Sequence, residues 1–391
     1  MTKLPLKKYL FYIFICSITL LASCSKEDII EPVETSNRTI LVYIPGDDNV
    51  LSPFAEYNLN DMIRAVVNNN NWGTLLCYFD NYNTKPTLYK IDKYSPGGKK
   101  VLKQYDERNS ATIESLNQVI GDMQTYAPSS EYGLVLWGHG SGWDPKTQAT
   151  RVVLNNDKPR SSAEQYSYGG SSDGWMDLDE IKQAIPDHLF HFILFDACYM
   201  SQIEVAYSLR NKAKYMIASA AETMATGFPY SEIVPIMLAQ NLDLENICKA
   251  YYDYYNNKTG AERTATVALI DLEVMPDFAN WCKNTYSGKL NILASLQPGR
   301  LQHFDRSRLI MMFDLGQVIQ SIAPDKNDEL NAWFEKLIKY KAHTPYILNQ
   351  ILISSDHFCG ITTYVPFDNP LYAAKNVQYE TTEWYQQIVN P

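Results

Sequence analysis

Residues His191–Arg210, with the sequence HFILFDACYMSQIEVAYSLR, decide the fold class of this chain. Their first part, His191–Phe195, is an apolar run rich in aromatic and β-branched side chains. Such a run is typical of a strand buried on both faces of a parallel sheet. Residues 203–210 then place apolar side chains at helical spacing. Asp-Ala-Cys198 lies between the two, at the sheet edge where open α/β proteins bind ligands.

Cys198 is predicted to lie at the amino end of that helix. The partial positive charge of a helix amino terminus favours the nucleophilic thiolate. Gln202 and Glu204 are predicted to face outward. The competing interpretation is an inert core thiol, because free cysteine is among the most buried residue types.

A second buried-strand run, Tyr132–Trp137, ends in Gly138-His139-Gly140-Ser141-Gly142. Glycines beside a histidine at a strand end allow backbone to approach a substrate closely. Two parallel strands of one sheet can present His139 and Cys198 side by side, although they are 59 residues apart in sequence.

The remaining pattern alternates strands with helices, which indicates a mostly parallel sheet covered on both faces. The predicted strands are Thr39–Ile44, Thr74–Phe79, Thr87–Lys90 and Lys214–Ala218. The predicted helices are Phe54–Val67, Ala111–Tyr126 with Ser110 as its cap, and Asp177–Ile185.

The motifs WGHGSGW and DACYMSQIE resemble the clostripain family of caspase-like cysteine peptidases. Tyr199, where the family often has an aliphatic residue, and a local insertion at 163–170 are small departures. The resemblance extends over roughly 38–389 and includes three further stretches, Leu41–Asn49, Tyr215–Tyr230 and Gly360–Pro366.

The resemblance implies a caspase-like α/β/α sandwich and a cysteine endopeptidase. In that chemistry Cys198 attacks the carbonyl, and His139 carries the proton to the leaving amine. The backbone N–H groups of Gly140 and Cys198 would stabilise the oxyanion.

Asp196 is an aspartate on a buried strand, which is costly without a partner. It either accepts backbone hydrogen bonds or lines the pocket for the residue before the cut. In the clostripain family the matching acidic residue recognises arginine or lysine, so protein or peptide substrates with basic residues are implied. Glu222 is a second candidate for substrate binding. Asp48, with Asp47, either borders the same pocket or shapes a turn.

Met1–Ser23 has the form of an export signal, with a basic start and an apolar segment too short to span a membrane comfortably. Leu21-Ala22-Ser23-Cys24 resembles a bacterial lipobox, which implies lipid on Cys24 and a place at the outer membrane or cell surface. An ordinary signal peptide with a chance cysteine is the alternative. Residues 24–37 are predicted to be a tether, and 38–391 the peptidase domain.

The chain has 44 acidic and 34 basic residues and no basic tract, which argues against nucleic acid as a partner. The cysteines after the export segment have no CxxC spacing, so neither a zinc site nor a disulfide framework is predicted. Some clostripain-like enzymes depend on calcium, but no calcium-binding loop is recognisable here. We therefore expect no cofactor.

Residues 143–175, between the two motif strands, show little pattern and include Lys146, Arg151, Lys158 and Arg160. Related enzymes are cut in this region, which implies activation by self-cleavage, whereas a passive surface insertion is the alternative.

A different class of function is a non-enzymatic surface lipoprotein that binds peptides or glycans, since aromatic faces stack on sugars and the chain has 28 tyrosines. That alternative leaves the ordered His139 and Cys198 motifs unexplained.

Overall fold

The structure, a computed structural model, describes residues 36–69, 71–145, 168–171 and 174–389. The export signal, Cys24 and almost all of the tether lie outside these residues. So do the four basic residues of the segment 143–175, which are Lys146, Arg151, Lys158 and Arg160.

The described chain alternates strands and helices around one large sheet. The strands are β1 (Thr39–Gly46), β2 (Thr74–Asn81), β3 (Thr87–Ile91), β4 (Lys99–Gln104), β5 (Tyr132–Trp137), β6 (His139–Gly140), β7 (Tyr168–Ser171), β8 (Gly174–Met176), β9 (Phe190–Asp196), β10 (Ala213–Ala218), β11 (Thr266–Asp271), β12 (Phe313–Asp314), β13 (Ile338–His343), β14 (Tyr346–Ile347), β15 (Ile351–Leu352) and β16 (Thr362–Thr363). The α-helices are Ser52–Val67, Ile113–Tyr126, Leu178–Ala184, Ile203–Ser208, Tyr230–Met237, Leu244–Asn256, Met275–Tyr286, Leu290–Ala294, Leu315–Ile322, Asn327–Leu337, Ala373–Tyr379 and Glu383–Val389.

The main sheet has nine strands in the order β13-β11-β10-β9-β5-β1-β2-β3-β4. Its five central strands, from β10 to β2, are parallel. The outer strands on both sides add antiparallel pairs. The predicted α/β class with a mostly parallel centre is therefore confirmed.

The sheet separates two apolar layers, as the fully apolar strand runs predicted. In β9, Ile193 and Phe195 pack into one layer, whereas Phe192 and Leu194 pack into the other. The first layer is covered by helices that include Ile113–Tyr126, and the second by helices that include Leu244–Asn256. Successive side chains of a strand point to opposite faces, so helices are needed on both sides.

Two local predictions about helices were wrong. Thr112, rather than Ser110, caps the helix Ile113–Tyr126, and its side chain accepts the Ser115 N–H at 3.1 Å. The Ser110 hydroxyl instead donates to the buried Asp80 carboxylate. Capping depends on where the chain first turns helical, and spacing alone places that point only to within a residue or two.

The helix Ile203–Ser208 also differs from the prediction, because Gln202 and Glu204 each expose only 1% of their surface. Glu204 accepts bonds from the Thr363 hydroxyl at 2.8 Å and the Tyr364 N–H at 3.0 Å. A distant part of the chain, around β16, thus covers the face that was predicted to be solvated. Among the described residues no helix is both long and apolar enough to cross a bilayer.

Gly133 in β5 gives a test of this packing. A Cβ at Gly133 would lie 2.5 Å from the Phe192 ring and 2.7 Å from the Ile40 methyl, so Gly133→Ala should destabilise the fold by about 1–3 kcal/mol. Gly121→Ala is the matched control, because that helical position is open and alanine favours helix by about 0.5–1 kcal/mol. Urea unfolding followed by circular dichroism measures both. Equal stability of Gly133→Ala and wild type would contradict the described strand packing.

Candidate active site

His139 and Cys198 follow neighbouring strands that are held in register. Trp137, the last residue of β5, pairs with Asp196, the last residue of β9. The Gly138 N–H donates to the Asp196 carbonyl at 3.1 Å, which extends the strand pairing by one bond. His139 and Cys198 therefore follow strands that end at the same edge of the sheet.

Gly140 lies directly against the backbone of the Cys198 segment. A Cβ at Gly140 would be 2.4 Å from the Cys198 carbonyl oxygen and 3.1 Å from the Ala197 Cβ. Only glycine allows backbone this close to backbone. This contact places the backbone that follows His139 next to the backbone of Cys198.

The Cys198 thiol is half-buried and has one principal partner, Thr223. The Thr223 N–H donates to Sγ at 3.2 Å, and the Thr223 hydroxyl lies 3.5 Å from Sγ. Burial raises the pKa of the Cys198 thiol, while both contacts with Thr223 lower it. The four other described cysteines, Cys77, Cys248, Cys282 and Cys359, are buried.

The expected helix terminus does not supply the charge at this thiol. The helix begins at Ile203, five residues after Cys198, whereas Cys198 and Tyr199 lie in a turn (the cysteine turn) and Gln202 is extended. Helix-terminus effects fall off within the first turn. The amide of Thr223, from the segment after β10, supplies a positive N–H to the sulfur instead.

The His139 imidazole is enclosed on one side by the Trp175 ring, whose centroid lies 5.2 Å away at 31°. Burial lowers the pKa of His139, and the Asp48 carboxylate partly offsets this. The ring is therefore mostly neutral near pH 7 and able to accept a proton. β6, which contains His139, pairs with β7 through His139 and Gly169.

Asp196 is buried beside the thiol, with 4% of its surface exposed. Its Oδ2 accepts the Phe228 N–H at 3.1 Å and the Tyr230 hydroxyl at 3.0 Å. Within the described part of the chain no group donates to Oδ1. Burial raises the pKa of Asp196 to about 6, against these two hydrogen bonds.

Asp196 and Cys198 were predicted to share a face of one strand, but β9 ends at Asp196. Asp196 contacts the Phe228 segment, whereas Cys198 contacts Thr223. Both contacts nevertheless belong to the same loop after β10, and negative charge on Asp196 raises the pKa of Cys198. The Asp196 carboxylate and the Cys198 thiol therefore lie along the same loop.

The two other candidates for substrate binding already have partners. Glu222 accepts two bonds from Arg306, from Nε at 2.6 Å and from Nη2 at 3.0 Å, so a substrate cation would have to compete with Arg306. Asp48 accepts the N–H groups of Val50 and Leu51 at 2.6 and 3.0 Å, which shapes the turn after β1.

Sequence reasoning missed Thr223, Arg306 and Gln202. The Gln202 side chain accepts the Trp143 N–H at 3.0 Å and so fixes the glycine-rich turn after His139. Arg306 is 108 residues from Cys198, and no local motif marks it. Among the described residues no cluster of metal-binding side chains is present.

Comparison with known proteins identifies relatives of this arrangement. The sequence model of the clostripain family matches residues 42–355. A comparison with curated proteins finds no match.

Solved structures of C11 proteases share the fold. The X-ray structure of an inactive zymogen C11 protease from Parabacteroides distasonis is 29% identical, with a TM-score of 0.76, over 91% of this chain and 99% of that one. A secreted C11 cysteine protease from Bacteroides thetaiotaomicron, iotapain, is 27% identical, with a TM-score of 0.76, over 91% of this chain and 100% of that one. A secreted C11 cysteine protease from the same organism, in complex with an irreversible peptide inhibitor, gives 27% identity and a TM-score of 0.73, over 90% and 99% of the two chains.

Proposed function

Because the chain belongs to the clostripain family and is a cysteine protease, we propose that it cleaves peptide bonds with the pair His139 and Cys198. The non-enzymatic binding protein that the sequence left open is not supported. The observation that carries the proposal is the contact of Gly140 with the Cys198 backbone, which brings the histidine and cysteine segments together at one sheet edge.

Burial shapes the proposed chemistry. It raises the pKa of the Cys198 thiol and lowers that of the His139 imidazole, which favours the neutral pair in the free enzyme. The imidazole takes the thiol proton as sulfur attacks the carbonyl, and the Gly140 and Cys198 N–H groups stabilise the oxyanion. The imidazolium then protonates the leaving amine. Water, deprotonated by His139, hydrolyses the thioester and regenerates the thiol.

We also propose activation by self-cleavage between 146 and 161. The described chain that follows this segment lies beside the site, since β7 runs antiparallel to β6 and pairs with His139. The segment includes Lys146, Arg151, Lys158 and Arg160. The relative from Parabacteroides distasonis is described as an inactive zymogen, which fits an enzyme held inactive until it is processed.

The substrate preference that we propose is arginine or lysine before the cut. Asp196 supplies a buried carboxylate next to the thiol, and its Oδ1 accepts no bond from a described residue. A guanidinium or ammonium can provide that bond together with the compensating charge. In this view the two hydrogen bonds at Oδ2 orient the carboxylate for a substrate cation.

For location we propose a lipid anchor on Cys24 and a place at the outer membrane or cell surface. One relative is described as secreted, which supports export. A Cys24→Ser variant should release soluble protein or block processing, as fractionation of cells measures. Wild-type protein in the cytosol would contradict the proposal.

Replacement of either member of the pair tests the chemistry. Cys198→Ala and His139→Ala should each reduce turnover of a peptide reporter by roughly 10³-fold or more, because the nucleophile or its proton carrier is gone. Cys282→Ala removes a buried thiol elsewhere and is the matched control, with turnover retained. Thermal unfolding checks that each variant folds. Substantial activity in Cys198→Ala would show that another group is the nucleophile.

The same proteins test self-cleavage. Wild type should give two fragments on a denaturing gel, joined between 146 and 161, whereas Cys198→Ala should remain one chain. Mass spectrometry of the fragments identifies the bond. A wild-type enzyme that is fully active as a single chain would show that cleavage is not required.

Asp196→Asn tests the substrate preference. It should lower kcat/KM for an arginine reporter relative to an alanine reporter by about 30-fold or more, since loss of one side of a desolvated charge pair costs about 2 kcal/mol or more. In wild type the preference should fall as the pH drops through about 6, because the carboxyl then becomes protonated. In the variant the ratio should not change with pH. Equal cleavage of both reporters by wild type would contradict the role of Asp196.

A further inference from the structure

The pair of Arg306 and Glu222 lies beside the thiol and has no role in the chemistry described above. Its two parallel bonds join a planar guanidinium to both oxygens of the carboxylate. A further N–H of Arg306 donates to the Gln350 side chain at 3.2 Å. Paired fork-like bonds of this kind fix geometry as well as charge.

The loop that contains Arg306 is itself held in place. The preceding residue, Asp305, is completely buried, and its carboxylate accepts the N–H groups of Met311 and Met312 at 3.1 and 3.2 Å. The Asp305 carbonyl also contacts the His303 ring at 2.9 Å. Arg306 is thus presented to Glu222 from a fixed position.

Glu222 is linked to the Cys198 thiol by the residue that follows it, Thr223. Thr223 provides the N–H that lies 3.2 Å from the Cys198 sulfur, and its amide is the peptide bond after Glu222. The neighbouring Ala221 carbonyl accepts the Tyr199 N–H at 3.0 Å, so this segment runs along the cysteine turn. A change in the position of Glu222 therefore moves the donor at the sulfur.

Glu222 also acts on the thiol by its charge. Negative charge on Glu222 and on Asp196 raises the pKa of Cys198. Arg306 forms a countercharge to Glu222, and its interaction with Cys198 is favourable to the thiolate. Among the described residues, the titratable groups that interact electrostatically with the thiol include Asp196, Tyr199, Glu222, Tyr251 and Arg306. His139 follows the neighbouring strand at the same edge of the sheet.

We infer that Arg306 is a positioning residue for the nucleophile, because its pairing with Glu222 holds the Thr223 N–H against the sulfur and offsets the Glu222 charge near the thiolate. The inference rests on the proposed function, in which Cys198 is the nucleophile. In this inference Glu222 forms an ion pair with Arg306 of the same chain and does not bind a cation of the substrate.

The test is the rate of Cys198 alkylation by iodoacetamide over a range of pH, read by mass spectrometry of the Cys198 peptide. At neutral pH, Arg306→Gln should slow alkylation by about 3- to 10-fold, because an unpaired carboxylate disfavours the thiolate. Glu222→Gln should speed it by about threefold, because the charge is removed while an amide oxygen still accepts from Arg306. The double variant should return near the wild-type rate, and Arg306→Lys should stay near it.

Salt and turnover give further readouts. Arg306 and Glu222 are partly exposed, so salt screens their charges. At about 1 M salt the difference in alkylation rate between Arg306→Gln and wild type should become smaller. The pH profile of kcat/KM should shift in the same directions as the alkylation profile, with thermal unfolding as the check on folding.

Three results would overturn the inference. An unchanged alkylation rate in Arg306→Gln would show that Arg306 has no electrostatic effect on the Cys198 thiol. If both single variants slow alkylation and the double variant does not recover the wild-type rate, the pair has only a structural role. Loss of preference for basic substrates in Glu222→Gln, at an unchanged alkylation rate, would return Glu222 to substrate binding. Failure of the proposed function is separate, because it appears as retained turnover in Cys198→Ala.

Discussion

The register between β5 and β9 is the constraint on which the site depends. Parallel strands align their carboxyl ends, and here the pairing of Trp137 with Asp196 makes both strands end at one level. The bond from the Gly138 N–H to the Asp196 carbonyl then holds the first residue beyond β5. A shift of one residue would turn every side chain of a strand to the opposite layer. Because both layers are apolar, this register is held by the fit between individual side chains, such as the Phe192 ring against Gly133, rather than by polarity.

The segment after β9 is supported from far along the chain. The Ser201 hydroxyl donates to the Gly360 carbonyl at 2.6 Å, and the Thr362 N–H donates to the Ser201 carbonyl at 2.8 Å. Glu204 is buried by the same region, and burial raises its pKa to about 7 despite the bonds from Thr363 and Tyr364. Burial of a carboxyl group is costly without such partners, so the late part of the chain and the cysteine turn stabilise each other.

The loop after β10 serves two neighbouring groups at once. Its first half supplies Thr223 to the sulfur, its second half supplies Phe228 to Asp196, and Tyr230 at the start of the following helix completes the support of Asp196. The thiol and the carboxylate are thereby positioned by one short segment. Such a shared support lets a rigid α/β core present different chemistry at adjacent points of one edge.

The central strands β1, β2, β5, β9 and β10 were predictable from the sequence, because strands buried on both faces are rich in apolar residues, and His139 and Cys198 follow two of them. The outer strands β4, β11 and β13 were not predicted. The sequence also indicated the family. It did not determine that Gln202 and Glu204 are buried, that a turn separates Cys198 from its helix, or that Thr223 and Arg306 surround the thiol. Local patterns record which side chains need burial, whereas these contacts join residues up to 160 positions apart and exist only after the layers pack. Which groups surround the Cys198 thiol therefore follows from the packing of distant segments and not from any local pattern.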